Sequence, residues 1–157
     1  MQLTRFLSDE AATLAMGAKL AKVLTTGLTL YLDGELGAGK TTLVRGALRG
    51  LGYQGKVKSP TYTLVELYTV SSLYLYHFDF YRFADPSEWV DAGFREHFNP
   101  DTVCFVEWPE KAGEYLPIPD VRIALSVVDT GRSLQLKAET EAGKKCLAGL
   151  EKELNNE

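Results

Sequence analysis

Apolar residues recur along the first part of the chain with the period of an α-helix. Leu7, Ala11, Leu14, Ala15, Ala18, Ala21 and Leu24 fall at intervals of three and four and so share one helical face. Ser8 is placed to cap that helix, with Asp9 and Glu10 in its first turn. A short run from Leu28 to Leu32, between Gly27 and Gly34, reads as a buried strand. A glycine-rich turn follows, then a second helix predicted from about Lys40 to Leu48 and closed by Gly50 and Gly52. The middle of the chain is rich in β-formers. Tyr62 to Val70 and Leu73 to Phe80 predict a hairpin around Ser71 and Ser72. Residues 86–98 predict a helix, with Asp85 as cap and Pro86 at the first position. Thr102 to Val106 has apolar residues on both faces, the pattern of a central strand. Val121 to Val128 and Ser133 to Ala138 flank Asp129-Thr130-Gly131-Arg132, which predicts a second hairpin with Arg132 in its turn. From Thr140 onward a surface helix is predicted, ending in a frayed Glu-Lys-Glu-Leu-Asn-Asn-Glu tail.

The turn between the predicted strand and helix carries chemistry. It reads Gly34-Glu35-Leu36-Gly37-Ala38-Gly39-Lys40-Thr41, a complete match to G-x-x-x-x-G-K-[ST] in the strand–turn–helix setting that motif requires. Glycines let backbone N–H groups curl around a phosphate without Cβ clashes. The helix that starts here aims the positive end of its dipole at the anion. Lys40 has the reach for β- and γ-phosphates, and the Thr41 hydroxyl can ligate Mg²⁺. These residues point to ATP with Mg²⁺ and to its hydrolysis.

A Mg²⁺ ion on a nucleotide needs a further acidic group. Glu107 ends the predicted central strand, the place where ligands gather in doubly wound sheets. An aspartate is usual there, so glutamate is a variation. His77-Phe78-Asp79-Phe80-Tyr81-Arg82 forms another cluster. Strand alternation puts Tyr74, Tyr76, Phe78 and Phe80 on one face, read as core, and Leu73, Leu75, His77, Asp79 and Tyr81 on the other. Asp79 could then bind a metal-bound water or orient the attacking water, with His77 holding its carboxylate. A structural role for both is equally open on spacing alone. Ser59-Pro60-Thr61-Tyr62-Thr63 is a plain turn by default, although hydroxyl-rich loops in this place can sense a γ-phosphate. By the same default Trp108 and Pro109 pack, and Arg132 is a solvated charge.

Composition narrows the class. The chain has 157 residues, 45% of them hydrophobic and 24% charged, which suits one domain with a real core. No run of about 18 apolar residues predicts a membrane span, and MQLTRFLSDE lacks the layout of a signal peptide. Cys104 and Cys146 match no metal spacing, which fits a reduced cytoplasmic protein. The net charge of −4 opposes autonomous nucleic-acid binding, so work on nucleic acid would go through a partner.

Four segments occur in order and at fitting intervals: Gly34 to Thr42, Ser59 to Val65, His77 to Arg82, and Val106-Glu107-Trp108-Pro109-Glu110. Together they resemble the bacterial TsaE (YjeE) family, over about Asp9 to Arg132. The resemblance implies an α/β fold of the P-loop NTPase type, a three-layer sandwich whose central mixed sheet has parallel strands extended by antiparallel ones and is flanked by helices. It implies an ATPase of tRNA threonylcarbamoyladenosine modification that works with the TsaB and TsaD proteins and meets tRNA only through that complex. On this sequence it implies that Gly37, Ala38, Gly39, Lys40, Thr41 and Thr42 bind phosphates and that Thr41 and Glu107 hold Mg²⁺. It places Asp79 near the metal and Thr61 in a switch-like segment, with Glu10 and Arg132 on the nucleotide away from the triphosphate. Asp79, Glu107 and Lys40 are the candidate catalytic groups. Two other readings share the phosphate loop: a small-molecule kinase, against which the scattered arginines argue, and a nucleotide-dependent binding switch. A GTPase is disfavoured, because no [NT]-K-x-D segment is present.

Overall fold

The apolar run after Gly27 forms a strand (β2, Thr29–Asp33) near the middle of a single seven-stranded sheet. In this computed structural model, which describes residues 1–156, the other strands are β1 (Gln2–Leu7), β3 (Val65–Val70), β4 (Leu73–Asp79), β5 (Thr102–Glu107), β6 (Val121–Val128) and β7 (Gly131–Ala138). The helices are α1 (Glu10–Ala21), α2 (Lys40–Gly50), α3 (Ser87–Asp91) and α4 (Glu141–Asn155). Strand order is β1-β7-β6-β2-β5-β4-β3. The pairs β6–β2, β2–β5 and β5–β4 are parallel, and the outer pairs are antiparallel. This is the mixed sheet, parallel within and antiparallel at its margins, that the fold class requires.

Two cores cover the sheet. On one face Leu30, Leu32, Leu75, Phe105, Ile123 and Leu134 pack against Leu20 of α1, Leu43 and Leu48 of α2, and Leu147 and Leu150 of α4. On the other, Tyr31, Phe78, Phe80 and Val106 meet Trp89 of α3, Phe94 and Ala112. The sheet therefore lies between three helices on one side and a thinner layer of α3 and 3₁₀ turns on the other. Among the described residues no helix is long and apolar enough to cross a membrane. Cys104 and Cys146 are free and buried, and burial pushes their thiols up to about 12 and about 11.

Several sequence expectations need correction. Residues 2–7 form a strand, where the pattern put no element before the first helix. That helix is capped by Asp9, not Ser8: the Ala12 N–H donates to Asp9 Oδ1 at 2.8 Å. The predicted helix over residues 86–98 breaks at Gly93, whose φ of 75° suits glycine, and resumes as a 3₁₀ turn at Phe94–His97. Both faces of β4 are core: Leu73 and Leu75 pack on the helices, whereas Tyr74, assigned to the core face, is exposed. Arg132 lies within β7, opposite Leu7 of β1 and Val127 of β6, because the turn is just Asp129 and Thr130. Helix α4 runs on to Asn155, anchored by buried Leu150 and Leu154.

Candidate functional site

The parallel strands β2, β5 and β4 end at the same edge of the sheet. There Leu32 is in register with Glu107, and Glu107 with Asp79. The loop 34–39 leaves β2 at this edge and turns into α2. Gly37 and Gly39 have φ of 82° and 105°, a left-handed backbone that favours glycine. A Cβ on Gly34 would sit 2.6 Å from the Leu125 carbonyl oxygen, so the loop can start only with glycine in this close approach.

A cavity of about 220 Å³ opens where these elements meet. It is lined by Leu36, Gly37, Gly39, Lys40, Thr41, Thr42, Ser59, Thr61, Asp79 and Glu107. Lys40 is only 6% exposed; it donates to the Gly34 carbonyl and lies 3.3 Å from Glu107 Oε1. Its ammonium also stands 5.1 Å from the centre of the Trp108 ring. Glu107 accepts from both sides, since its Oε2 is 2.6 Å from Nε2 of His77, which is fully buried. Burial alone would raise the Glu107 carboxyl. The His77 hydrogen bond and charge, with Lys40, outweigh burial and hold it below the usual carboxylate range.

Asp79 has different partners. The Tyr81 N–H donates to its Oδ1 at 2.9 Å, and the Thr61 hydroxyl to its Oδ2 at 3.3 Å. Thr61 also shares a 2.8 Å hydrogen bond with Ser59. Burial pushes the Asp79 carboxyl up; the Tyr81 N–H opposes this, and the Glu107 charge adds to it. The site thus holds two adjacent carboxylates whose surroundings move their proton affinities in opposite directions. His77 holds Glu107 and not Asp79, which corrects the expected pairing. Alternation along β4 showed that His77 and Asp79 share a face, but the partner of His77 comes from β5, 30 residues away.

A second cavity of about 230 Å³ lies on the other side of the loop. It is lined by Asp9, Glu10, Thr13, Gly37, Gly39, Thr42, Thr130, Gly131 and Arg132. Glu10 and Arg132 therefore flank the loop on the side away from Asp79 and Glu107. Ala38, within the loop, turns its side chain into the core and is fully buried. Thr13 and Thr130 belong to no motif in the sequence; the signal for Thr13 is its place one helical turn after Glu10. Asp33, at the end of β2, likewise lies outside every motif. Burial raises its carboxyl, and Glu110 adds to the effect.

A family profile described as "Threonylcarbamoyl adenosine biosynthesis protein TsaE" matches residues 7–135. The chain belongs to the TsaE family. Among its relatives in that family, the Haemophilus influenzae protein is 45% identical over 151 residues, covering 93% of this chain and 96% of the relative. The Bacillus subtilis relative is 42% identical over 113 residues, 72% of this chain and 70% of its own length. Both bear the name tRNA threonylcarbamoyladenosine biosynthesis protein TsaE. A crystal structure of Bacillus subtilis YdiB superposes with a TM-score of 0.84 at 30% identity, covering 97% of this chain and 95% of that one. The matched region takes in every candidate residue of this TsaE family member, from Glu10 to Arg132.

Proposed function

We propose that this TsaE family member binds ATP with Mg²⁺ at loop 34–41 and hydrolyses it in support of tRNA threonylcarbamoyladenosine biosynthesis, acting with the TsaB and TsaD proteins. The observation that carries this reading is the convergence of Lys40, Thr41, Thr61, Asp79 and Glu107 on one cavity at the carboxyl edge of the parallel strands. The pathway comes from the names of the relatives. The nucleotide chemistry comes from the site.

The residues fit the ion. Thr41, Asp79 and Glu107 offer hard oxygen donors, which suit Mg²⁺. Among the described residues no three His, Cys, Asp or Glu side chains converge into a metal cage. Such a site suits an ion that takes most of its shell from phosphates and water. Thr41 and Glu107 would hold Mg²⁺ directly, with Asp79 beside it through water. The bound ion would supply charge neutralisation to the phosphates.

The chain's own groups then divide the work. The first N–H groups of α2 and the loop amides bind the phosphates. Lys40 exchanges its contacts with Glu107 and the Gly34 carbonyl for the β- and γ-phosphate oxygens. Asp79, held by Thr61 and Tyr81, orients the attacking water and can take its proton, a role its raised proton affinity favours. Thr61 links the segment 59–63 to that carboxylate, so occupancy of the site is felt in an exposed loop. Phosphate release measured with the isolated protein, then with TsaB and TsaD, then with tRNA, tests this reading. We expect Mg²⁺-dependent release that Lys40→Ala abolishes. A wild-type protein that neither binds nor hydrolyses MgATP under any of these conditions would overturn it.

A further inference from the structure

Arg132 makes contacts that its expected place on the nucleotide does not account for. Its Nε donates to the Ala38 carbonyl at 3.0 Å, and its Nη2 to the Gly37 carbonyl at 3.1 Å. The third nitrogen, Nη1, donates to the Gly131 carbonyl at 3.0 Å. One guanidinium thus spans from β7 to two consecutive peptide units of the phosphate loop, 94 and 95 residues away in sequence.

We propose that Arg132 is a positioning residue for the phosphate cradle and acts through the loop backbone rather than through the nucleoside. This inference rests on loop 34–41 being the phosphate site. In a trans peptide the C=O of one residue and the N–H of the next point in opposite directions. Pinning the Ala38 carbonyl toward β7 therefore turns the Gly39 N–H away from β7. Gly39 is the N-cap of α2 and has no side chain with which to fix itself, and its φ of 105° is one that glycine leaves readily. An external clamp on the peptide before it supplies the missing restraint. The clamp also covers two carbonyl oxygens whose negative ends would otherwise repel a polyphosphate.

Arginine suits the task where lysine does not. The planar fork reaches two carbonyls at once, and a lysine ammonium offers a point charge without that geometry. The mount is rigid, because Arg132 is paired in register with Leu7 of β1 on one side and Val127 of β6 on the other. A Cβ on Gly131 would meet the Leu7 carbonyl at 2.5 Å, which shows how closely β1 holds β7 at this point.

Arg132→Lys keeps the charge and removes the fork, and Arg132→Gln removes both. Calorimetric titration with inorganic tripolyphosphate and with ATP separates the two roles of this residue. We expect both variants to lose tripolyphosphate and ATP affinity by the same factor, roughly tenfold or more. Lost ATP affinity with unchanged tripolyphosphate affinity would place Arg132 on the nucleoside and overturn the inference. Amide hydrogen exchange of residues 38–41, measured without any ligand, tests the clamp itself. Exchange about tenfold faster in Arg132→Lys, with an unchanged urea midpoint, supports it; unchanged exchange overturns it. Failure of the wild-type protein to bind either probe would count against the nucleotide reading, and the ligand-free exchange would still decide the clamp.

Discussion

At the scale of single residues the site is a chain of contacts from His77 through Glu107 to Lys40, with Asp79 alongside. Lys40 is buried against a buried carboxylate. Lys40→Ala would leave Glu107 with only His77, and breaking a buried pair costs about 3 kcal/mol. We therefore expect a lowered urea midpoint together with a fall of roughly 100-fold in MgATP affinity. A variant as stable as the wild type would contradict the buried pairing. Asp79 makes the opposite prediction. Its carboxyl is raised in the folded protein, chiefly by burial. A group raised on folding contributes stability below its unfolded value and loses it as pH rises through the folded value. Ionised Asp79 therefore weakens the fold near neutral pH. Asp79→Asn should unfold at a higher temperature than the wild type at pH 8, with the gap closing toward about pH 4. The same variant should bind ATP and fail in single-turnover hydrolysis. A stability difference that stays constant with pH would show that the charge is not the cause.

At the scale of elements, α1 and α2 set the direction of the phosphate loop, because α2 begins at Lys40. They interlock through small residues. A Cβ on Gly17 would come within 2.7 Å of the Ala47 nitrogen, one on Gly50 within 2.8 Å of the Ala18 Cα, and one on Gly46 would overlap the Leu14 backbone. Helix propensity favours alanine over glycine by about 1 kcal/mol. Overpacking costs about 1–3 kcal/mol, and here the obstacle is backbone that cannot rotate away. Gly46→Ala should thus destabilise the protein, read as a lower urea midpoint, and weaken nucleotide binding with it. A stabilised variant would mean that the helices part easily. Elements with a strong local signal were legible in the sequence: the all-apolar β2 and β5, the β3–β4 hairpin at Ser71 and Ser72, and the strand–loop–helix of the phosphate site. The candidates Lys40, Thr41, Thr61, Asp79 and Glu107 do converge on one cavity. What the sequence hid was set by tertiary pairing. Strand β1 carries two core residues, Leu3 and Leu7, with Phe6 exposed between them, and it forms only because β7 offers it an edge. The bond from His77 to Glu107 joins two strands, and no local pattern encodes it.

At the scale of the whole molecule, Lys40 is the only cation among the described residues that line the cavity holding Asp79 and Glu107. Arg82 sits 4.9 Å from the centre of the Tyr62 ring, and Arg132 grips the loop. Rapid phosphoryl transfer usually needs another cation on the developing γ-phosphate charge. The isolated protein should therefore turn ATP over slowly. Partners that supply an arginine can raise turnover by roughly three to five orders of magnitude in other nucleotidases of this type. Tyr62 is 82% and Leu36 69% exposed, both beside the site. Steady-state turnover should rise when TsaB and TsaD are added. Fast turnover by the chain alone, indifferent to partners, would mark a self-sufficient enzyme.

The β1–β7 pairing also bears on how the chain can be shortened. Residues 8–157 keep every sequence motif that marks the family, so a chain trimmed at Ser8 would look complete by inspection. It would lack Leu7, the neighbour of Arg132 in β7, and would leave the strand that carries the clamp as the bare edge of the sheet. Grip on polyphosphate would then weaken without the loss of any residue that touches it, and the freed edge would invite association between chains. The first seven residues contribute no recognisable chemistry, yet they brace the part of the fold that shapes it.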